Sequence, residues 1–221
     1  MKRANRGFGR EAALEFVATA FLLIAVVGSG VMAERLANGN PALALLANAA
    51  ATGAALLALI LSFGPQSGAH MNPLVSLGAA LDGDLPWRGF GFYVPAQVAG
   101  AVIGVWLTHL MFAMPVLELG TKIRTGPGQW LGEALATFGL LAIIRLCRER
   151  PEQTAIAVAA WITGAYWFTS STSFANPAVT LARALTDSFA GIRPWDAPGF
   201  MLAQLVGFAA SRPLARLLAS R

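Results

Sequence analysis

The chain has 221 residues, of which 56% are hydrophobic and only 12% charged, with a formal net charge of +5 and one cysteine. So apolar a composition excludes an ordinary soluble domain and marks an integral membrane protein. A single cysteine excludes an intrachain disulfide, and the basic residues form no stripe interleaved with aromatics, so no nucleic-acid partner is expected.

In chain order, the basic start Met1–Arg10 leads into an apolar run without a small-residue cleavage site. The first segment is therefore expected to remain as a membrane helix rather than to be removed as a signal peptide. Candidate spans fall at about Ala12–Met32, Pro41–Phe63, Gly89–Phe112, Gln129–Cys147, Thr154–Phe168 and Pro198–Leu214. A bilayer core about 30 Å thick needs only ~20 helical residues, whereas Leu36 to Leu81 runs far longer without an Asp, Glu, Lys or Arg. Gly64-Pro65-Gln66-Ser67-Gly68 breaks that stretch, and Ala69 to Leu81 is too short to cross. It must enter the membrane and turn back. Gln153 to Ala182 repeats the arrangement, with a polar break at Thr169-Ser170-Ser171-Thr172-Ser173 and a short segment opened by Asn176-Pro177.

Six spans put both termini on one side. That side would carry Lys2, Arg3, Arg6, Arg10, Arg88, Arg145, Arg148, Arg150, Arg212, Arg216 and Arg221, against Arg35, Lys122, Arg124, Arg183 and Arg193 on the other. The excess places the termini in the cytoplasm.

The chain reads as one domain over residues 1–221 with an internal repeat, about 12–112 and about 129–214. Glu15-Phe16-Val17-Ala18-Thr19 is echoed by Glu133-Ala134-Leu135-Ala136-Thr137, Asn72-Pro73 by Asn176-Pro177, Pro86-Trp87 by Pro194-Trp195, and Ala96-Gln97-Val98-Ala99-Gly100 by Ala203-Gln204-Leu205-Val206-Gly207. Three spans per half invert the second copy about an axis in the membrane plane. Asn before Pro is a helix start, because Asn caps and Pro at the first position lacks only an N–H that would be unused there. Two half-helix N-termini, each worth about half a positive charge, then face one point near the midplane with the amides of Asn72 and Asn176. Backbone that turns back at that depth must be buried or line a watered cavity. Cations are disfavoured there and neutral hydrogen-bonding solutes accommodated.

Glu15 and Glu133 are read as inward-facing acceptors that anchor the re-entrant loops, with a proton relay as the rival. His70 ties down the first loop. Neither His70 nor His109 has cysteines or carboxylates nearby to make a metal site, no cofactor is implied, and no nucleophile and base stand at motif-like spacing for an enzyme. The glycines of the spans, Gly100 and Gly207 among them, indicate close helix packing.

Ser67-Gly68-Ala69-His70-Met71-Asn72-Pro73, Ala175-Asn176-Pro177-Ala178, the paired glutamates and Ala96-Gln97-Val98-Ala99-Gly100 resemble the aquaporin, or major intrinsic protein, family over nearly the whole chain. The resemblance implies an all-α membrane fold of six tilted helices and two half-helices, a homotetramer in the bilayer of the cell's inner membrane with one pore per subunit, and passive passage of water or small neutral solutes. Counting from the Asn residues carries the family's four filter positions onto Thr52, Gly164, Ser173 and Val179. An aromatic, a His and an Arg of the water-selective pattern are missing there, as is the Asp usual in glycerol facilitators, where Thr180 stands. Leu74 replaces the usual Ala beside Asn72-Pro73 and is expected to add bulk near the midplane and move the tightest point inward. Arg183, one turn beyond Val179, either faces the same vestibule or reaches to solvent.

Loss of a fixed cation with five donors from a narrow ring implies a wide, weakly polar filter. The resulting expectation is a facilitator for polyols such as glycerol, urea-like amides or metalloid hydroxides, including arsenite as in Arg-less bacterial relatives, with water as a further permeant. Alternatives are a water-selective channel and, further off, a secondary transporter or a structural junction protein.

Overall fold

A computed structural model of the chain describes residues 8–219, with side chains through Leu214. Lys2, Arg3, Arg6 and Arg221 lie outside the described residues, as does the side chain of Arg216.

Six long helices and two short ones follow in the order α1 (Phe8–Leu36), α2 (Pro41–Ser67), α3 (Pro73–Leu81), α4 (Trp87–Met111), α5 (Pro127–Leu146), α6 (Pro151–Phe168), α7 (Pro177–Arg183) and α8 (Ala197–Ala219). By length and composition α1, α2, α4 and α5 can each cross a membrane. The polar turn Pro151-Glu152-Gln153 leaves α6 an apolar stretch no longer than its candidate span. In α8, Gln204, Ser211 and Arg212 dilute the apolar run. These two occupy, in the second half, the places of α2 and α4 in the first: α2 packs on α1 and α6 on α5, α4 on α1 and α8 on α5. The short helix α3 leans on α4, α7 lies against both α4 and α8, and the two touch each other.

Local chemistry explains where the elements stop. Asn40 accepts from the amides of Ala42 and Leu43, opening α2 ahead of Pro41. That helix runs past Pro65 and ends four residues later than the break at Gly64 suggested, closed by Gly68 in the left-handed conformation (φ 97°). The extra turn carries Ser67 inward, where it is 2% exposed.

Two glycines fix how near the paired helices lie. A Cβ on Gly100 would strike the carbonyl of Phe16 on α1, and one on Gly207 would strike that of Ala134 on α5. The matched positions show one packing solution used twice. Because backbone cannot give way as a side chain can, Gly207→Val is expected to destabilise the protein by about 3 kcal/mol. Its melting temperature in detergent, against that of a Val206 variant on the same helix (57% exposed), checks this.

Several basic residues make contacts at the ends of the helices. Arg145 and Arg212 meet Asp82, and Arg148 meets Asp84, at one end. Arg35 caps the Phe112 carbonyl, Lys122 the Phe189 carbonyl, and Arg193 pairs with Asp196 at the other.

Candidate channel site

Asn72 and Asn176 do the same three things in their own halves. Each precedes a proline at the first helical position. Each turns its Oδ1 back to cap its helix, Asn72 accepting from Leu74 N (2.9 Å) and Asn176 from Ala178 N (3.0 Å) and Val179 N (3.3 Å). Each reaches across with Nδ2: Asn72 donates to the carbonyl of Ala175 (2.8 Å) and Asn176 to that of Met71 (2.7 Å). A primary amide has two N–H groups, so one on each asparagine remains for the cavity that both line.

These crossed bonds require an unusual backbone. Met71 and Ala175, the acceptor residues, both have φ of 48°, a left-handed conformation costly for residues with a side chain. Two buried carboxylates hold it. Glu15, fully buried, accepts from Ser67 Oγ (2.7 Å), His70 N (2.9 Å), Met71 N (2.7 Å) and Gln97 Nε2 (2.9 Å). Glu133, also fully buried, accepts from Phe174 N (2.8 Å), Ala175 N (2.8 Å) and Gln204 Nε2 (2.7 Å). A carboxylate offers only acceptors, about four lone-pair sites, which matches these donor sets. The same glutamines brace the half-helices, Gln97 donating to Ser76 Oγ and Gln204 to Thr180 Oγ1. His70 places Nδ1 3.0 Å from Ser76 Oγ and lies edge-on to Tyr93.

A cavity of about 260 Å³ runs from Asp82, Asp84, Arg145 and Arg148 past both asparagines to Val179 and Arg183. Between, its walls are aliphatic, with Leu22, Leu56, Val75, Leu140, Val158 and Ile162, so polar contacts are confined to the asparagines, the two loops and the ends. At the charged end, burial alone would raise the Asp82 carboxyl, but the Arg212 hydrogen bond and the charges of Arg145 and Arg212 outweigh it and hold Asp82 below its ordinary range. Among the described residues no cluster of His, Cys, Asp and Glu could hold a metal ion.

Of the four counted positions, Thr52, Ser173 and Val179 line the cavity. Gly164 does not: its Cβ direction faces the Phe168 ring of the same helix. Tyr166, two residues on and 3% exposed, does line the cavity, with its hydroxyl 3.2 Å from Thr52 Oγ1 across the α2–α6 contact. Leu74 also departs from expectation. It is buried with Leu141 and Phe208 against α5 and α8, so its bulk fills the bundle and not the cavity. Pro73, Pro177 and Ala178 likewise sit behind the wall. Gln97 and Gln204 were legible as a repeated Ala-Gln pair, without any sign that they complete the carboxylate cages.

At the end beyond Val179, Arg124 comes in from the α4–α5 loop. It donates to the carbonyls of Gly191 (2.9 Å), Ser171 (3.3 Å) and Phe189 (3.4 Å) and to Thr172 Oγ1 (3.3 Å). Burial lowers its pKa to about 10, with Glu133 and Tyr166 acting the other way, so it stays charged at neutral pH.

The major intrinsic protein model matches residues 3–145. Aquaglyceroporin AqpS of Rhizobium meliloti (strain 1021) is 52% identical over 210 residues, 95% of this chain and 90% of that protein. Aquaporin NIP2-2 of Zea mays is 31% identical over 194 residues, 83% of this chain and 64% of that one. The X-ray structure of the aquaglyceroporin from Plasmodium falciparum superposes with a TM-score of 0.71 at 20% identity, over 96% of this chain and all of that one. With a family match over more than half its length and a half-identical relative along nearly all of it, the chain belongs to the major intrinsic protein family.

Proposed function

We propose that this protein is a passive membrane channel for water and small uncharged solutes, with a broad filter made by Thr52, Tyr166, Ser173 and Val179. The observation that carries the reading is the cavity that passes the two crossed asparagines, each with an amide hydrogen left for whatever occupies it. Two half-helix N-termini meeting there disfavour cations, and the aliphatic walls offer a permeant few places to bind and so few places to be held. Val179 and the ring of Tyr166 contribute apolar surface to the outer part, Thr52 and Ser173 hydroxyls. An apolar face beside hydrogen-bonding groups suits a polyol such as glycerol, and the absence of a cation at position 179 suits urea-like amides and neutral metalloid hydroxides. The half-identical relative's name, an aquaglyceroporin, supports solutes larger than water.

The protein acts in a cell's inner membrane with both termini cytoplasmic, on the positive-inside bias, and assembles as a homotetramer with a pore in each subunit. Members of this family are channels and not enzymes.

Swelling of proteoliposomes in water, glycerol, urea and arsenite gradients tests the solute range. All four are expected to pass faster than through protein-free vesicles, without saturation or dependence on an ion gradient. Rapid passage of water alone would replace this reading with a water-selective channel.

A further inference from the structure

Arg183 closes α7 and is 1% exposed, yet it lines the cavity. Its Nε donates to the Ala190 carbonyl, and its guanidinium carbon lies 3.4 Å from the centroid of the Phe174 ring. Among the described residues no carboxylate pairs with it, and neither Nη1 nor Nη2 meets a protein acceptor. Arg124, 5.2 Å from the same ring, differs in both respects: its nitrogens are bonded to the protein, and it does not line the cavity. A buried guanidinium whose outer nitrogens find no protein acceptor must bond to the contents of the cavity. Ser173 Oγ, buried, without a partner and on the same cavity, stands ready for the same contents.

We propose that Arg183 is the specificity-determining cation of the outer mouth, where its two free nitrogens donate to the oxygens of hydroxylated solutes and its charge turns back cations. The proposal rests on the channel reading above and deepens it. It assigns the task to a residue one helical turn past Val179. The ring at Thr52, Tyr166, Ser173 and Val179 can then stay wide without opening the pore to ions. Phe174 holds the guanidinium by its face, and the Ala190 carbonyl fixes Nε, so the fork is preorganised toward the cavity.

The test uses the full chain in proteoliposomes, reading water flux, glycerol flux and potassium leak together. Arg183→Met is expected to raise the ratio of potassium leak to water flux about tenfold or more, since the repulsion of a like charge at close range is lost. Arg183→Lys keeps the charge but not the planar fork, so its leak is expected to stay at the wild-type level while the glycerol-to-water flux ratio falls about threefold. A methionine variant whose ratio of potassium leak to water flux matches wild type overturns the charge assignment. If that variant does not insert, the lysine variant decides: an unchanged glycerol-to-water ratio overturns the proposal. Wild-type vesicles that pass neither water nor glycerol faster than empty ones overturn the channel reading itself, and are measured first.

Discussion

Val179→Arg is expected to cut glycerol passage about tenfold or more while water flux falls by less than about threefold, because a narrow site discriminates size far more steeply than it slows the smallest permeant. Val179 lines the cavity at 5% exposure, and its amide is already held by Asn176, so the backbone needs no adjustment to present a longer side chain there. The new guanidinium would occupy volume beside Tyr166 and Ser173 and add a further cation near Arg183 and Arg124. Paired stopped-flow measurements on one vesicle preparation give both fluxes. Equal loss of water and glycerol would mean a blocked or misfolded channel, and unchanged glycerol flux would remove position 179 from the constriction.

Glu15→Gln is expected to destabilise the protein by about 3 kcal/mol or more, a large effect for so small a change. Four donors converge on this carboxylate, two of them the backbone amides of His70 and Met71. Glutamine offers one acceptor oxygen and turns an NH2 group toward the remaining donors, leaving buried N–H groups unpaired. The left-handed Met71, whose carbonyl receives Asn176, then loses what holds it in place. Thermal melting in detergent should fall for Glu15→Gln and, with three donors at stake, somewhat less for Glu133→Gln. Solute flux from surviving protein should drop in step, because the asparagine amides are aimed by the same loops. A Glu15→Gln protein with wild-type stability would show that the carboxylate is not the anchor.

The two predictions differ in how far the chain alone could reach them. Membrane class, the count of helices, the inverted repeat and the two Asn-Pro helix starts were all legible, because each rests on local chemistry: charge-free length against bilayer thickness, proline's missing N–H, asparagine as a cap. Position 179 was equally near the surface of the sequence, being three residues past Asn176 on the same short helix. Ser173 likewise adjoins the second motif, whereas Thr52 and Gly164 were reached by counting across longer segments. Thr52 and Ser173 face the cavity, but on α6 the count reached Gly164 where the wall is formed by Tyr166. A shift of two residues turns a helix by about 200° at 3.6 residues per turn, and nothing in the local sequence of α6 states which face it shows to α2.

Leu74 illustrates the same limit. Beside the first asparagine a bulky residue reads as an obstruction, and only the placement of Leu141 and Phe208 reveals a pocket behind the wall that takes it. Arg124 and Arg183 are alike in the sequence, basic residues on the less basic side. What separates them is which carbonyls lie within reach, and this depends on how the loops at 112–126 and 184–196 fold over Phe174.

The sequence by itself thus determined the class, the topology and the midplane meeting of two half-helices, since these follow from lengths, charges and caps that act within a few residues. Only the tertiary structure decided which side chains form the wall, that Met71 and Ala175 offer their carbonyls to the opposite asparagine, and that Arg183 keeps two nitrogens for the cavity. The asparagine bonds join residues 103 and 105 positions apart, while the Arg183 arrangement depends on how the segment from Phe174 to Ala190 folds around the guanidinium. Such pairings depend on the helix rotations and loop paths that bring the two halves together.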